Sequence, residues 1–288
     1  DYFNKDSSHI YCVNITPPYR TILMSQTYDF DGKVAIVTGS SSGLGEAIVC
    51  MLAKYGCRVT VHGRSEENVN RVAAKCHELS PKKYTPNICI GDLMDDQVIE
   101  KIVQTTVESF GQIDFLINNA GGHYQADFSN PNEVLKSYDF TFGLNVRSTL
   151  YLTSLAIPYL EKSKGVIVII SSIGSFSSFN NEKTIIYEMS KAALDHMVHG
   201  MALSYGRRGI RINTINPGPF KTAIYRNYSD QNEYEKELKS YEQISPLGRY
   251  GEPEELANLV IYLVSTNASY ITGTNIVIDG GSSIPRFI

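Results

Sequence analysis

The sequence has 288 residues, of which 42% are hydrophobic and 19% are charged, and its formal net charge is −4 at pH 7. This composition is typical of a folded globular protein, and the length suits a single α/β domain. The lack of a basic excess argues against a general nucleic-acid binder, because few cations are available to neutralise phosphates. The longest apolar run, residues 144–160, contains Asn145 and Arg147 and is too short for a bilayer, so we expect no membrane span.

The N-terminal residues do not resemble the start of a domain. Residues 1–30 mix polar residues, prolines and aromatics without periodicity and contain no apolar stretch of the kind found in secretory signals. We therefore predict an extension over residues 1–30, followed by one domain over residues 31–284. The five cysteines show no C-x-x-C spacing, which favours reduced thiols in a cytoplasmic protein, and we expect no metal site.

The first predicted strand is the apolar run Val34–Val37, as in a strand buried on both faces of a parallel sheet. Residues 38–45 follow with the sequence TGSSSGLG, and apolar residues at helical spacing then predict a helix that ends near Gly56. A glycine turn between a strand and a helix lets the backbone approach a pyrophosphate, which the helix N-terminus also attracts. This context predicts a dinucleotide site, although the alternative is a plain tight turn.

The second predicted strand, Arg58–Val61, is followed by His62, Gly63 and Arg64. In a dinucleotide-binding fold this strand ends beside the adenosine ribose, where a carboxylate selects NAD by accepting from the 2′-hydroxyl. Here Gly63 takes that position, and the guanidinium of Arg64 suits the 2′-phosphate of NADP. In the alternative interpretation Arg64 begins a solvated helix that Ser65 caps, and both interpretations can hold together.

Strands and helices alternate through the rest of the chain, which predicts a Rossmann-like, doubly wound and mostly parallel sheet. Ligands bind such sheets beyond the carboxyl ends of the strands, where Asp92, Asn118 and Ser172 fall. The further strands are predicted at 87–90, 113–117, 166–170, 211–215 and 275–278, and the further helices at 95–110, 132–160, 186–206 and 253–265.

Tyr187 and Lys191 are four residues apart at the start of the predicted helix 186–206, so they share one helix face. A free tyrosine has a pKa of about 10, and an adjacent cation lowers that pKa by favouring the phenolate. The pair therefore has the chemistry of a general acid and base. Taken alone the spacing is weak evidence, because such pairs occur by chance in many helices.

Five motifs in fixed order resemble the short-chain dehydrogenase/reductase superfamily, in its shorter single-domain branch. They extend over roughly residues 30–283 and are Thr38-Gly39-x-x-x-Gly43-x-Gly45, Asn118-Asn119-Ala120-Gly121, Tyr187-x-x-x-Lys191, Asn216-Pro217-Gly218 with Thr222, and residues 270–273 with 279–281. The resemblance implies an oxidoreductase that moves a hydride between nicotinamide and a carbonyl or alcohol carbon. In such enzymes the cofactor does the redox chemistry, while the protein orients it and handles the proton.

The resemblance also implies a catalytic tetrad, in which Tyr187 exchanges the proton and Lys191 lowers the pKa of Tyr187 and holds the nicotinamide ribose. Ser172 would hydrogen-bond the carbonyl oxygen, although the neighbouring Ser175 stays an alternative, because the loop up to Tyr187 is longer than is usual in the family. Asn145 would hold a water that feeds protons through Lys191; without the other three residues it would be interpreted as a polar residue that kinks a long helix.

Cofactor contacts follow from the same resemblance. Asp92 resembles the adenine-pocket aspartate and Leu93 an apolar wall, the alternative for Asp92 being an ordinary strand-end turn. Thr222 would contact the nicotinamide carboxamide. The implied cofactor-binding residues are Gly39, Ser41, Ser42, Gly43, Leu44, Gly45, Arg64, Ser65, Asp92, Leu93, Asn119, Ala120, Gly121, Tyr187, Lys191, Pro217, Gly218 and Thr222.

The segment 219–250 is longer than most connections inside domains, and its tyrosines and charges suit an amphipathic lid over the substrate. The alternative is a solvated surface helix. With a lid, Phe176 or Phe179 and Tyr225 would bound a pocket for a bulky, partly apolar carbonyl compound. His123 is expected either on the substrate side or in a surface loop.

We expect NADP(H) rather than NAD(H) as the cofactor, a small carbonyl or alcohol compound as the substrate, and a homotetramer or homodimer. The assembly follows from the helices 132–160 and 186–206, which carry more apolar residues than one core-facing stripe needs. Two alternatives stay open: an NAD-dependent alcohol dehydrogenase, and a catalytically silent relative with a scaffold or regulatory role. The fold does not choose the substrate.

Overall fold

The computed structural model describes residues 28–221 and 244–284. Seven parallel strands form one sheet in the order β3-β2-β1-β4-β5-β6-β7, which confirms the predicted fold class. Because β1 lies between β2 and β4, the switch in strand order falls at the carboxyl ends of β1 and β4. The strands are β1 Val34–Val37, β2 Arg58–Gly63, β3 Asn87–Ile90, β4 Phe115–Asn118, β5 Val166–Ile170, β6 Arg211–Pro217 and β7 Asn275–Ile278.

The strands β1 and β5 are apolar at every position because both faces of the sheet are covered there. Side chains alternate between the faces, so Ala35 and Val37 join one buried cluster while Ile36 joins the other. β5 repeats the pattern, with Val168 in the first cluster and Ile169 in the second. Alternate side chains of these strands are therefore buried on opposite faces of the sheet, and a layer of helices covers each face.

Six of the seven described α-helices divide between these layers. Helices α1, α2 and α7 contribute to the cluster that contains Val37, and α3, α5 and α6 contribute to the cluster that contains Ile36. Their bounds are α1 Gly43–Lys54, α2 Glu66–Leu79, α3 Asp96–Phe110, α4 Pro131–Phe142, α5 Ser148–Ser163, α6 Ile185–Tyr205 and α7 Pro253–Val264.

The region predicted as helical, 132–160, is helical throughout, and within it a π-helical turn, Gly143–Arg147, joins α4 to α5. Asn145 lies at the centre of this turn and is fully buried. A π turn inserts an extra residue into the helix and is frequent at functional sites. The predicted helical region is therefore present, and the π turn within it is a feature that the apolar spacing does not show.

Other boundaries shift by a few residues. β4 begins two residues later than predicted, and β6 continues through Pro217. Phe30 is buried and packs edge-on against Phe115, so the core includes a residue that was assigned to the extension. Residues 1–27 lie outside the described residues. None of the helices in the described ranges has the length and apolar character needed to cross a membrane.

Candidate active site

The glycine loop, residues 38–45, runs from the end of β1 into α1, and close packing requires glycine at two positions. A Cβ on Gly45 would lie 2.4 Å from the carbonyl oxygen of Gly39 and 2.5 Å from Asn119 Nδ2. Gly39 has a φ of +61°, in the left-handed region, and donates its N–H to His62 Nδ1 at 3.1 Å. The loop is therefore held by β2 as well as by its own turn.

The segment after β4 is tied directly to this loop. The Thr38 hydroxyl accepts from the backbone N–H groups of Asn119 and Ala120, each at 3.0 Å. Asn119 Nδ2 donates to the carbonyl oxygens of Thr38 and Gly39 at 2.9 and 3.2 Å. Asn119 and Ala120, predicted as cofactor contacts, thus brace the glycine loop against β4.

The N-terminus of α1 opens on the carboxyl edge of the sheet and contains Ser42, Gly43 and Leu44. Ser42 is the N-cap residue, but its side chain makes no capping hydrogen bond. Glu46 in the first turn is held by Arg71 and Lys75 of α2, at 2.7 and 3.2 Å. A glycine loop that leads into a helix N-terminus can hold a phosphate.

The carboxyl ends of β2 and β3 place Gly63, Arg64 and Asp92 near one another. A Cβ on Gly63 would lie 2.4 Å from Ser41 Oγ and 2.6 Å from Ser41 Cβ, so Ser41 occupies the space that a side chain there would need. The Arg64 side chain is 74% exposed, and its Nη1 lies 4.0 Å from Asp92 Oδ2. Ser65 caps α2 by accepting from a backbone N–H at 3.4 Å, as the alternative interpretation predicted.

Asp92 and Leu93 form the turn that follows β3. Asp92 Oδ1 accepts from the backbone N–H of Met94 at 3.0 Å, so the carboxylate shapes the turn as well as facing Arg64. Leu93 is buried and belongs to the cluster that contains Ile36. Both the adenine-pocket interpretation and the turn interpretation of Asp92 are compatible with this geometry.

The first turn of α6 contains Tyr187, and Lys191 follows one turn later. Lys191 is buried, and its Nζ donates to the carbonyl oxygen of Ile170, the last residue of β5, at 2.9 Å. The same nitrogen lies 5.6 Å from the centroid of the Tyr187 ring. The helix therefore places the phenol and the ammonium together at the carboxyl end of β5.

Two serines after β5 have different environments. Ser172 lies beside the phenol of Tyr187, with which its hydroxyl interacts. Ser175 Oγ instead donates to Asp195 Oδ2 at 2.5 Å and accepts from Asn216 Nδ2 at 2.8 Å. Of the two candidates, Ser172 is the one that the fold places next to Tyr187.

Asn145 is held at both ends of its side-chain amide. Its Oδ1 accepts from the backbone N–H of Gly122, and its Nδ2 donates to Ser190 Oγ, each at 2.9 Å. A Cβ on Gly121 would lie 3.2 Å from both Asn145 Oδ1 and Lys191 Nζ. Glycine at 121 therefore lets these two polar groups approach the same point.

Burial changes the protonation equilibria of both residues of the pair. Burial lowers the pKa of Lys191 to about 8, while the carboxylate of Asp195 opposes that shift. Burial raises the pKa of the Tyr187 phenol, and the hydrogen bond with Ser172 only partly offsets the increase. The shift at Tyr187 is opposite to the one predicted from Lys191, because the loss of water around the phenol is the larger effect.

The substrate-side predictions are only partly within the described residues. His123 packs its ring against Tyr187, with the centroids 5.4 Å apart, and Phe176 is 56% exposed. Pro217 ends β6, and the N–H of Gly218 donates to the carbonyl oxygen of Ile278 at 3.0 Å. Thr222, Tyr225 and most of the predicted lid segment lie outside the described residues.

Sequence analysis gave no role to three buried polar residues at this edge of the sheet, His62, Asp195 and Asn216. His62 accepts from the glycine loop, and burial lowers its pKa to about 4. Asp195 follows Lys191 by the same four-residue step that separates Tyr187 from Lys191. This spacing is the sequence feature that could have identified Asp195 as a neighbour of Lys191. Nothing in the local sequence marks Asn216 as a partner of Asp195.

Comparison with known proteins agrees with this arrangement. The matching family model is described as Enoyl-(Acyl carrier protein) reductase and covers residues 39–283. A tropinone reductase homologue of Arabidopsis thaliana is 35% identical over 270 residues, which are 92% of this chain and 98% of that protein.

Two solved structures are similar over nearly the whole chain. A 7α-hydroxysteroid dehydrogenase complexed with NADH and 7-oxo glycochenodeoxycholic acid is 31% identical, with a TM-score of 0.78, over 88% of this chain and 95% of that one. The L-sorbose reductase from Gluconobacter frateurii, complexed with NADPH and L-sorbose, is 27% identical, with a TM-score of 0.82, over 90% of this chain and 100% of that one. This chain belongs to the short-chain dehydrogenase/reductase superfamily of oxidoreductases.

Proposed function

We propose that this protein is an NADP(H)-dependent oxidoreductase that transfers a hydride between nicotinamide and the carbon of a carbonyl group or secondary alcohol. The proposal is carried by the position of the buried Lys191 ammonium, next to Tyr187 and at the end of β5. Ser172 and Asn145 approach the same pair from β5 and from the π turn. The named relatives support the oxidoreductase class and differ in their substrates.

The residues present fit a dinucleotide along this edge of the sheet. The loop 39–45 and the N-terminus of α1 would hold the pyrophosphate, because Gly45 lets the loop pack closely on Gly39 and Asn119 where it leads into the helix. Asp92 and Leu93 would border the adenine, and Lys191 would bind the nicotinamide ribose. Pro217, Gly218 and Thr222 would border the nicotinamide, which when bound gives or takes the hydride.

The chain's own residues would handle the proton and the developing charge. Tyr187 would donate its proton to the carbonyl oxygen in reduction and accept one from the alcohol in oxidation. A phenol with a raised pKa keeps its proton at neutral pH, which suits reduction. The Ser172 hydroxyl would donate to the same oxygen, where negative charge develops in the transition state. Asn145 would hold a water that passes protons to Lys191.

The preference for NADP(H) is supported by the geometry after β2. A carboxylate that selects NAD would have to be attached at Gly63, where even a Cβ meets Ser41. Arg64 is exposed at the next position, and among the described residues its charged partner is Asp92 at the long distance of 4.0 Å, so the guanidinium can bind a 2′-phosphate. We place Ser41 and Ser65 as further partners of that phosphate.

The deciding experiment measures oxidation of NADPH and NADH with a panel of ketones, aldehydes and quinones, and the reverse reaction with the matching alcohols. Turnover with NADPH on at least one compound, and weaker turnover with NADH, supports the proposal. Equal or better turnover with NADH would favour the NAD-dependent alcohol dehydrogenase. Tight NADPH binding without turnover on any compound would favour the catalytically silent relative.

We also propose that the protein forms a homotetramer or a homodimer through the helices α4, α5 and α6. These helices expose large apolar side chains in the described structure, which are Leu135, Tyr138, Leu150, Ile185, Met189 and Leu203. Leu203 is 86% exposed, and an apolar side chain in water does not stabilise a monomer, whereas burial of Leu203 at an interface would stabilise an assembly. Light scattering at micromolar concentration should give the mass of a dimer or tetramer, and a monomer would rule the assembly out.

The substrate pocket is proposed to lie between His123 and Phe176, with Tyr225 from the lid segment as a further wall. The His123 ring already contacts Tyr187, so a substrate at the phenol would also meet His123. Exposed Phe176 gives the opening an apolar border. These walls favour a bulky, partly apolar carbonyl compound as the substrate. The described cysteines are free thiols, which suits the proposed cytoplasmic location.

A further inference from the structure

A buried hydrogen-bonded cluster lies next to the proposed catalytic serine. Ser175, Asp195 and Asn216 form it, and we call it the Asp195 cluster. Asp195 Oδ2 accepts from Ser175 Oγ at 2.5 Å and from Asn216 Nδ2 at 2.7 Å. Asn216 Nδ2 also donates to the carbonyl oxygen of Ser172 at 3.0 Å. The cluster therefore joins α6 and β6 to the backbone of Ser172.

A carboxylate in this position is expensive to bury. Asp195 is only 7% exposed, and within the described ranges its Oδ1 has no hydrogen-bond partner. Burying a charge is unfavourable unless another charge or enough hydrogen bonds compensate for it. A neutral amide could occupy the same site with less penalty, so the hydrogen bonds to Ser175 and Asn216 do not by themselves account for a carboxylate.

An opposite charge is available one helical turn earlier on α6, in the ammonium of Lys191. Lys191 and Asp195 are four residues apart on α6 and are both buried on the same face of the helix. The field of the Asp195 carboxylate acts on Lys191 and favours its protonated form, against the effect of burial. The two charges therefore stabilise each other inside the protein.

We propose that Asp195 is a positioning residue: its charge holds Lys191 in the ammonium form, and its hydrogen bonds through Asn216 fix the backbone of Ser172. This inference rests on the proposed oxidoreductase function, in which both Lys191 and Ser172 act on the reacting groups. Asp195 would reach those groups only through its partners.

The other groups that face Lys191 do not duplicate this charge. β5 contributes the carbonyl oxygen of Ile170, and the π turn contributes the amide of Asn145. Tyr187 on α6 itself is a neutral phenol, and the titratable His123 packs against that ring from the loop after β4. Among the described residues, Asp195 is the charged group whose field acts on Lys191.

The first test needs neither cofactor nor substrate. Thermal unfolding is measured for the wild-type protein, Asp195→Asn, Lys191→Met and the double variant, which together form a double-mutant cycle. Each single variant leaves one buried charge unpaired, so we expect each to lower the Tm and the double variant to recover part of the loss. If Asp195→Asn does not fold, the double variant should fold. If the two losses in Tm add up in the double variant, or if its Tm lies below that of both single variants, the charge pairing is overturned.

The second test is the pH profile of kcat/KM for carbonyl reduction. Lys191 must keep its proton, so activity should fall as the pH rises through about 8 in the wild-type protein. Removing the Asp195 charge lowers the pKa of Lys191 further, and Asp195→Asn should move this alkaline limb to lower pH by about one unit. Asp139→Asn makes the same charge change at an exposed position on α4 and should leave the limb in place.

Ser175→Ala separates the two effects of Asp195. It removes one hydrogen bond to the carboxylate but keeps the charge, so kcat should fall several-fold with an unmoved alkaline limb. An Asp195→Asn limb identical to that of the wild type would overturn the inference, even if kcat fell. A wild-type protein without turnover would defeat the proposed function instead, and the unfolding cycle would then decide on Asp195.

Discussion

The two ends of the proposed cofactor site are built from different kinds of contact. At the catalytic end, Asn145, Lys191 and Asp195 are buried and bonded to groups on other elements or loops. At the adenosine end, Arg64 is exposed and its ion pair with Asp92 is long, at 4.0 Å. One end is fixed by the core, and the other is a surface feature.

This difference separates the chemistry from the choice of cofactor. A buried polar group cannot be changed without leaving its partner unsatisfied, so substitutions at the catalytic end should be severe. An exposed side chain can be replaced with little effect on folding, so the adenosine end can change its preference while the chemistry stays the same. The similar solved structures include one complexed with NADH and one with NADPH.

The largest effect is expected for Tyr187→Phe at the catalytic end. Phenylalanine keeps the ring that packs against His123 but has no proton to exchange. Turnover should fall by about three orders of magnitude, while NADPH affinity, measured by fluorescence titration, stays near the wild-type value. Substantial turnover by this variant would show that another group supplies the proton.

The next effect concerns the glycine loop, which lies between the two ends. Gly45→Ala places a methyl group 2.4 Å from the carbonyl oxygen of Gly39, so the loop must move away from Asn119. We expect NADPH affinity to fall at least about tenfold, which corresponds to roughly 1.4 kcal/mol. Gly200→Ala is the matched control, because nothing lies within 4 Å of a Cβ at that position on α6. Wild-type affinity in Gly45→Ala would mean that the loop is more plastic than this packing indicates.

Local sequence was enough to predict most of the fold. The strands β1 and β5 are continuous apolar runs because alternate side chains enter two different clusters, and this pattern is visible in the sequence. The glycine turn was equally clear, since its neighbours are a buried strand and an amphipathic helix. Both features depend on residues that are close together in the chain.

The remaining features depend on contacts that the chain makes over long separations. The π turn holds Asn145 in place with Ser190, which is 45 residues away, and no helical pattern shows such a contact. Asp195 meets Ser175 and Asn216 only after α6 and β6 have packed on β5. The predicted direction of the pKa shift at Tyr187 was also wrong, because the spacing shows the neighbouring Lys191 but not the loss of water around the buried phenol.

At the adenosine end, Arg64→Ala is expected to change the choice of cofactor and to leave the chemical step in place. Arg64→Ala removes the guanidinium that faces the proposed 2′-phosphate and leaves the fold intact, because the side chain is exposed. The ratio of kcat/KM for NADPH to that for NADH should fall by about 10- to 100-fold, with kcat nearly unchanged. Arg208→Ala, which removes an arginine paired with Glu161 elsewhere on the surface, should not alter the ratio. Equal kinetics with both cofactors in the wild-type protein would mean that Arg64 does not bind the phosphate.

The smallest effect is expected at Ser65, which combines a structural role with a proposed contact to the same phosphate. Its hydroxyl caps α2, so Ser65→Ala should lower the free energy of unfolding by about 1 kcal/mol. Loss of one hydrogen bond to the phosphate should also weaken NADPH binding by roughly threefold and leave NADH binding unchanged. Ser65→Asp separates the two roles, because aspartate caps helices as well as serine does but repels a phosphate. We expect Ser65→Asp to melt near the wild-type temperature and to bind NADPH more weakly than Ser65→Ala. If it binds NADPH as the wild type does, Ser65 serves only as the cap, and recognition of the phosphate falls to Arg64 and Ser41.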